Sequence, residues 1–118
     1  MELPGLLNSY VFAYESGDLN RVVDLFAANA VVNESIGRNK ISRDYRELFQ
    51  ATDTRRMKIG VITWQPEGAT AQGSGEFEVT VWRHGDSAPS TIKGKLNIEV
   101  AKEEKQLVIR KLTHVVSR

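Results

Sequence analysis

Apolar residues recur every three or four positions in the first half of the chain, in three separate stretches. The first stretch has its apolar positions at Leu3, Leu6, Leu7, Tyr10, Val11 and Tyr14. This spacing predicts an amphipathic helix, with Pro4 in its first turn and Gly17 as the residue that ends it. Asp18 is the predicted N-cap of a second helix. The expected buried stripe of that helix comprises Leu19, Val22, Val23 and Phe26.

A short strand and a third helix are predicted next. Asn29 is a plausible stop before the strand Ala30–Glu34, and alternation along that strand places Val32 and Glu34 on one face. Asn39 is the predicted cap of the third helix, which Thr52–Thr54 ends. The apolar face of this helix contains Ile41, Tyr45, Leu48 and Phe49.

From Arg55 onward the apolar period changes to two, which indicates strands. The expected strands are 55–64, Ala69–Arg83, Thr91–Ala101 and Gln106–Val116, with a turn at 65–68 and a bulge or sharp bend at Gly73 and Gly75. Helices grouped before a meander of strands predict an α+β fold. We therefore expect one domain over residues 1–118, with three N-terminal helices packed in the concave face of a strongly curved, mostly antiparallel sheet. Such a cone has an apolar mouth of the kind that binds small ligands.

Composition narrows the possible functions. The chain has 118 residues, a formal charge of +1 and no cysteine. The near-neutral charge argues against nucleic acid as a partner, although Arg55, Arg56 and Lys58 form a basic concentration that we interpret as solvated. No apolar run approaches the ~20 residues that span a bilayer, and the first residues do not form a signal peptide. These features, with the absence of thiols, favour a cytoplasmic protein without membrane contact, either whole or cut from a longer chain.

Glu34 is the leading candidate for chemistry. Buried inside the cone, its carboxylate would be destabilised as an anion and would become a better base. At the rim, it would be hydrated or paired with Arg38 or Arg110. His114 on the last strand either faces the pocket and pairs with Glu34 or is a satisfied sheet residue, whereas His84 is expected in an exposed turn. The two histidines lack ligand spacing, so neither a metal nor a cofactor is expected.

The order of elements is similar to that of the nuclear transport factor 2-like superfamily, which includes ketosteroid isomerase and SnoaL-like polyketide cyclases. The strings Tyr14–Leu19 and Ala30–Gly37 carry this resemblance over essentially the whole chain. The resemblance to ketosteroid isomerase places Glu34 at the general base and Tyr10 at the oxyanion tyrosine. It places Leu96 where that enzyme has a second acid, which leucine cannot replace as a donor. Other expected ligand-binding residues are Tyr14, Val32, Tyr45, Phe49, Phe77, Leu96 and His114.

Tryptophans beside threonines on a flat sheet face are typical of protein interfaces. Trp82 and Thr80 share the face predicted to be convex, and Trp64 is added to them as a second interface tryptophan. Members of the superfamily commonly dimerise through that face, so we expect a homodimer.

Two functions remain open. One is a domain that binds a small apolar molecule and dimerises, either on its own or as an accessory module of a larger protein. The other is an isomerase, cyclase or dehydratase that uses Glu34 as the base on a small apolar carbonyl compound.

Overall fold

The N-terminal helices form as their capping residues predict. The structure is a computed structural model that describes residues 3–117. Helix α1 (Leu3–Ser16) ends at Gly17, which has a φ of +69° and so takes the left-handed conformation that glycine accepts without strain. Helix α2 (Leu19–Asp24) begins after Asp18, whose side chain accepts a hydrogen bond of 3.2 Å from the peptide N–H of Arg21.

The next elements differ from the prediction at their boundaries. Strand β1 (Phe26–Val32) already begins at Phe26, so this residue is not part of the α2 stripe, and Asn29 lies inside the strand. Strand β2 (Ser35–Ile36) follows, and the two strands pair in antiparallel fashion. Helix α3 (Arg38–Ala51) is preceded by Gly37 rather than by Asn39, and no side chain caps it. The six-residue α2 is thus shorter than its apolar spacing suggests.

The second half of the chain is all strand and turn. Its strands are β3 (Thr52–Ile59), β4 (Thr63–Glu67), β5 (Thr70–Arg83), β6 (Ser90–Glu103) and β7 (Gln106–Val116). The predicted strand 55–64 is two strands separated by residues 60–62, and most of the predicted turn 65–68 belongs to β4. Pro66 is tolerated in β4 because this strand pairs on one side only, with β5.

The seven strands found in residues 3–117 join one sheet in the order β2-β1-β7-β6-β5-β3, and β4 pairs with another part of β5. Every pairing is antiparallel except that of β1 with β7. The register places Val32 opposite Leu112, and Leu96 opposite His114. The last strand therefore lies between the first strand and β6.

Gly73 and Gly75 do not form the predicted bulge, because β5 keeps its register with β4 and β6 along this stretch. They make room for side chains instead. A Cβ on Gly73 would lie 2.7 Å from the Trp64 ring, and one on Gly75 would lie 2.6 Å from Ile62. These glycines let the connection between β3 and β4 fold closely over the sheet.

The helices pack on one face of the sheet, as predicted. The core between them is formed by fully or nearly fully buried apolar residues, among them Leu6, Val22, Phe26, Ile41, Val100 and Ile109. Arg55 is also buried, with 8% of its surface exposed, so the interpretation of this residue as solvated is wrong. Among residues 3–117, every helix is too short or too polar to cross a membrane.

Candidate functional site

A cavity of about 770 Å³ lies between the helices and the inner face of the sheet. Helices α1 and α3 cover it on one side, and strands β5, β6 and β7 on the other. Most of its wall is apolar, formed by Val32, Ile41, Leu48, Met57, Ile59, Phe77, Val79, Ile92, Leu96 and Leu112. The apolar mouth predicted from the curved sheet thus corresponds to an internal space large enough for a small organic molecule.

Two tyrosine hydroxyls form the polar part of the buried wall. The Tyr10 and Tyr45 oxygens are 2.7 Å apart, and both residues are more than 90% buried. Burial raises the pKa of both phenols, so they remain neutral donors. The nearby Tyr14 also lines the cavity, and burial raises its pKa although the Arg55 charge opposes this shift.

The tyrosines belong to one aromatic cluster. The Tyr10, Tyr14 and Tyr45 rings contact one another with centroids 6.2–6.5 Å apart. Phe49, which we expected to bind ligand, is not on the cavity wall. It packs behind Tyr14 and Tyr45 at 6.1 and 6.0 Å and holds them in place.

Glu34 lies at the cavity mouth and is exposed. The prediction placed it at the end of a strand on the inner face, but the chain reverses at Asn33 and Glu34 to begin β2. Neither expected partner pairs with it: Arg38 donates to the carbonyl of Phe26 at 2.9 and 2.6 Å, and Arg110 lies 3.6 Å from Glu99. The Glu34 carboxylate therefore meets water as well as the cavity.

His114 is half-buried on the cavity wall, and burial lowers its pKa. Its neighbour is Asn33 rather than Glu34. The Asn33 Oδ1 accepts the peptide N–H of His114 at 2.9 Å, and its Nδ2 lies 3.4 Å from the ring Nε2. The Phe77 ring meets the imidazole edge to face at 5.7 Å.

A second polar group at the mouth was missed by the sequence reasoning. Ser35 donates a short hydrogen bond to Asp44, and Lys40 donates to the other oxygen of that carboxylate at 2.9 Å. These bonds, that of Ser35 first, lower the pKa of Asp44. The spacing of Lys40 and Asp44 on α3 could have suggested the ion pair, but the contribution of Ser35 depends on the β1–β2 turn.

The remaining predicted residues lie outside the cavity. Trp82 is half-buried on the convex face, where the hydroxyl of Thr80 is 2.9 Å from that of Thr91. Trp64 lies on the opposite face, over Gly73 and near Leu7 of α1, so its assignment to the convex face is wrong. His84 is exposed, as expected, and contacts Asp53 and the carbonyl of Gln50.

No three His, Asp or Glu side chains of residues 3–117 converge as metal ligands.

Comparison with solved structures shows the same fold in several bacterial proteins. A candidate aromatic ring hydroxylase from Novosphingobium aromaticivorans is 20% identical, with a TM-score of 0.90, 98% of this chain covered and 87% of the other. A candidate scytalone dehydratase from the same organism is 10% identical, with a TM-score of 0.91 and coverage of 98% and 82%. A nuclear transport factor 2-like protein from Salmonella enterica is 14% identical, with a TM-score of 0.87 and coverage of 97% and 87%.

Sequence comparison gives the family. No curated protein matches the chain. The family model of the SnoaL-like domain matches residues 2–113, which is nearly the whole sequence. The chain therefore belongs to the SnoaL-like domain family, and it has the same fold as the nuclear transport factor 2-like protein from Salmonella enterica.

Proposed function

We propose that the chain binds a small, largely apolar molecule that carries an oxygen group, and that it does so in the cavity between helices and sheet. The observation that carries this proposal is the cavity itself. Its volume of about 770 Å³ lies within the range of about 300–1,000 Å³ typical of small-molecule sites. Its wall is mainly apolar, with a few polar groups at defined positions, which is the usual composition of such sites.

The tyrosine pair supports the presence of an oxygen group on the ligand. One of the two hydroxyls, of Tyr10 or of Tyr45, donates its proton to the oxygen of the other. The hydrogen bond between them therefore uses one of the two hydroxyl protons. The second proton remains available for an oxygen of the ligand. Because both phenols stay neutral, they favour a carbonyl or hydroxyl group over a cation.

The test is calorimetric titration with 1-tetralone, a bicyclic ketone that fits such a volume. Leu96→Trp fills the cavity from β6, and Val79→Phe fills it less severely from β5. We expect either variant to weaken binding at least about tenfold, or 1.4 kcal/mol, with circular dichroism unchanged. The matched control is Val115→Trp, on the exposed outer face of β7. Equal affinity in all four proteins would contradict the proposal.

A second candidate function is proton transfer on a carbonyl compound, with Glu34 as the base. It is favoured by the position of Glu34 on the wall that also holds Tyr10 and Tyr45. It is weakened by the exposure of Glu34 and by Leu96, which offers no hydrogen bond. Turnover of a β,γ-unsaturated ketone distinguishes the two functions: equal background rates for the wild-type protein and Glu34→Gln would exclude this isomerase reaction.

We also propose that the chain forms a homodimer through the convex face of the sheet. The support is the half-exposed Trp82 beside the hydroxyl pair of Thr80 and Thr91. A large aromatic side chain among small polar ones is the composition of an interface centre. Trp64 contributes nothing to this surface, because it faces α1.

A further inference from the structure

Asn33 is bound to strand β7 at three points. Its peptide N–H donates to the carbonyl of Leu112 at 2.9 Å, its Oδ1 accepts the peptide N–H of His114 at 2.9 Å, and its Nδ2 lies 3.4 Å from His114 Nε2. The residue has a φ of +51°, a left-handed conformation that asparagine tolerates better than most residues. The turn before β2 thus presents the Asn33 amide to one histidine.

These contacts determine the orientation of the amide. A peptide N–H is always a donor, so the atom of Asn33 that meets the peptide N–H of His114 must be its oxygen. The atom that faces the imidazole is then the amide nitrogen, which donates and does not accept. Nε2 must therefore be the unprotonated nitrogen of the ring, and the proton of a neutral His114 lies on Nδ1.

The other ring nitrogen is free to meet a ligand. Among residues 3–117, no side chain or carbonyl bonds to His114 Nδ1, and this atom is not sealed from solvent, since no buried side-chain nitrogen or oxygen lacks a partner. The residue is on the cavity wall. A proton on Nδ1 is thus a donor without a partner among residues 3–117, on a residue that lines the cavity.

We propose that Asn33 is a positioning residue that fixes His114 as the neutral Nδ1–H tautomer, so that the ring donates one hydrogen bond to a carbonyl oxygen of the ligand. The proposal deepens the proposed function, on which its ligand part rests. Burial lowers the pKa of His114, which also favours the neutral form of the ring. A protonated ring would place Nε2–H against the amide N–H groups of Asn33, which is a repulsive contact.

Other titratable groups surround the ring without replacing Asn33. Glu34 and Asp44 line the cavity mouth, and Tyr10, Tyr14 and Tyr45 line its interior. On the neighbouring strand β6, the residue opposite His114 is the uncharged Leu96. Within the described part of the chain, Asn33 supplies the side-chain atom that lies within hydrogen-bond distance of the ring, its Nδ2 at 3.4 Å from Nε2.

The test is long-range ¹H–¹⁵N NMR of the imidazole in the free protein, followed over pH. We expect the Nδ1–H tautomer in the wild-type protein. Asn33→Asp keeps the acceptor for the peptide N–H but places a carboxylate oxygen beside Nε2. The proton then moves to Nε2, and the pKa of His114 rises by about one unit or more. Asn97→Asp is the control, because it adds the same charge on the outer face of β6, opposite Thr113.

The tautomer part is overturned if wild-type His114 carries its proton on Nε2, or if Asn33→Asp shifts its pKa no more than Asn97→Asp does. The ligand part is tested with 1-tetralone and with tetralin, which has the same rings but no oxygen. His114→Phe should weaken binding of the ketone about tenfold and leave that of the hydrocarbon unchanged. An equal effect on both overturns it. Because the tautomer is observed without ligand, its failure and the failure of cavity binding are separate outcomes.

Discussion

Arg55 shows how a single residue can differ from what its sequence neighbourhood suggests. Its guanidinium donates to the carbonyl of Tyr14 at 3.0 Å and to both oxygens of Thr52 at 2.6 and 3.2 Å, and it lies 5.0 Å from the centroid of the Phe49 ring. No carboxylate within 4.0 Å pairs with it among the side chains described. The cation is stabilised by carbonyls at the negative end of α1 and by the aromatic face.

We predict that Arg55→Met destabilises the fold by about 3 kcal/mol, since it leaves several buried acceptors unpaired. Arg55→Lys should recover part of this loss, because an ammonium keeps the charge but not the planar set of donors. Urea denaturation measures both. Arg56→Met is the matched control on the exposed side of the same strand, where we expect a change within about 0.5 kcal/mol. Similar losses at Arg55 and Arg56 would refute the structural role of Arg55.

At this scale, several residues that we expected to bind a ligand lie on the cavity wall, and other residues of the wall were not predicted. Tyr10 and Tyr45 follow from helical spacing, since each lies on the apolar face of its helix. Asn33 could not be found in the same way, because its role depends on a turn that brings it to a strand some 80 residues later. Its neighbour Glu34 was expected either inside the cone or at its rim, and the same turn places it at the mouth.

At the scale of elements, the long strands were easier to predict than the short ones. Strand β7 has the predicted bounds, because alternation over many residues gives a clear period. The boundary between α2 and β1, where Phe26 could belong to the helix or to the strand, was missed, because Phe26 follows Val22 at a helical spacing and burial along β1 does not alternate. Tertiary pairing decided between the two: the peptide N–H of Ile109 on β7 donates to the carbonyl of Leu25 at 2.8 Å, where α2 gives way to β1.

Strand β6 depends on a glycine at its centre. A Cβ on Gly94 would lie 1.9 Å from the carbonyl oxygen of Val115 and 3.0 Å from the Phe77 ring. Gly94 therefore allows the end of β7 to approach, and it leaves room for the Phe77 ring that packs against His114.

We predict that Gly94→Ala destabilises the protein by about 3 kcal/mol, at the upper end of the usual cost of overpacking. Backbone, rather than a flexible side chain, would have to move. Thermal unfolding monitored by circular dichroism measures the effect. Gly60→Ala is the control, because its added Cβ would meet only the Glu76 carbonyl at an ordinary 3.6 Å. We expect that variant to be within about 1 kcal/mol of the wild-type protein. Equal stability of the two variants would contradict this account.

At the scale of the whole molecule, α+β architecture and the curved sheet were predictable, because the helices precede the four long predicted strands and the apolar period changes to two near Arg55. Which side chains meet in the cavity was predictable only in part. His114 was expected either to face the pocket and pair with Glu34 or to be a satisfied sheet residue, and the fold places its ring beside the amide of Asn33. Trp64 was assigned to the dimer face because of its residue type, whereas Gly73 of β5 leaves room for its ring on the helix side of the sheet.

The assembly prediction belongs to this scale. We expect sedimentation at micromolar concentration to show a homodimer and Trp82→Glu to show a monomer, since a charge at the interface centre would be buried without a partner. Trp64→Phe is the control on the other face of the sheet and should remain dimeric. A wild-type monomer would exclude the dimer, as would a Trp82→Glu protein that still associates.

The position of β7 between β1 and β6 has a kinetic consequence. The contacts of Asn33 with Leu112 and His114 connect residues about 80 positions apart, and the parallel pairing of β1 joins it to the last strand of the chain. Such distant pairings cost chain entropy before they contribute stability, and they slow folding. Synthesis on the ribosome delivers β7 after the other strands of this sheet. The cavity wall includes His114 of β7, so the cavity is complete only when β7 has paired with β1 and β6. We therefore expect the ligand site to form together with the native sheet.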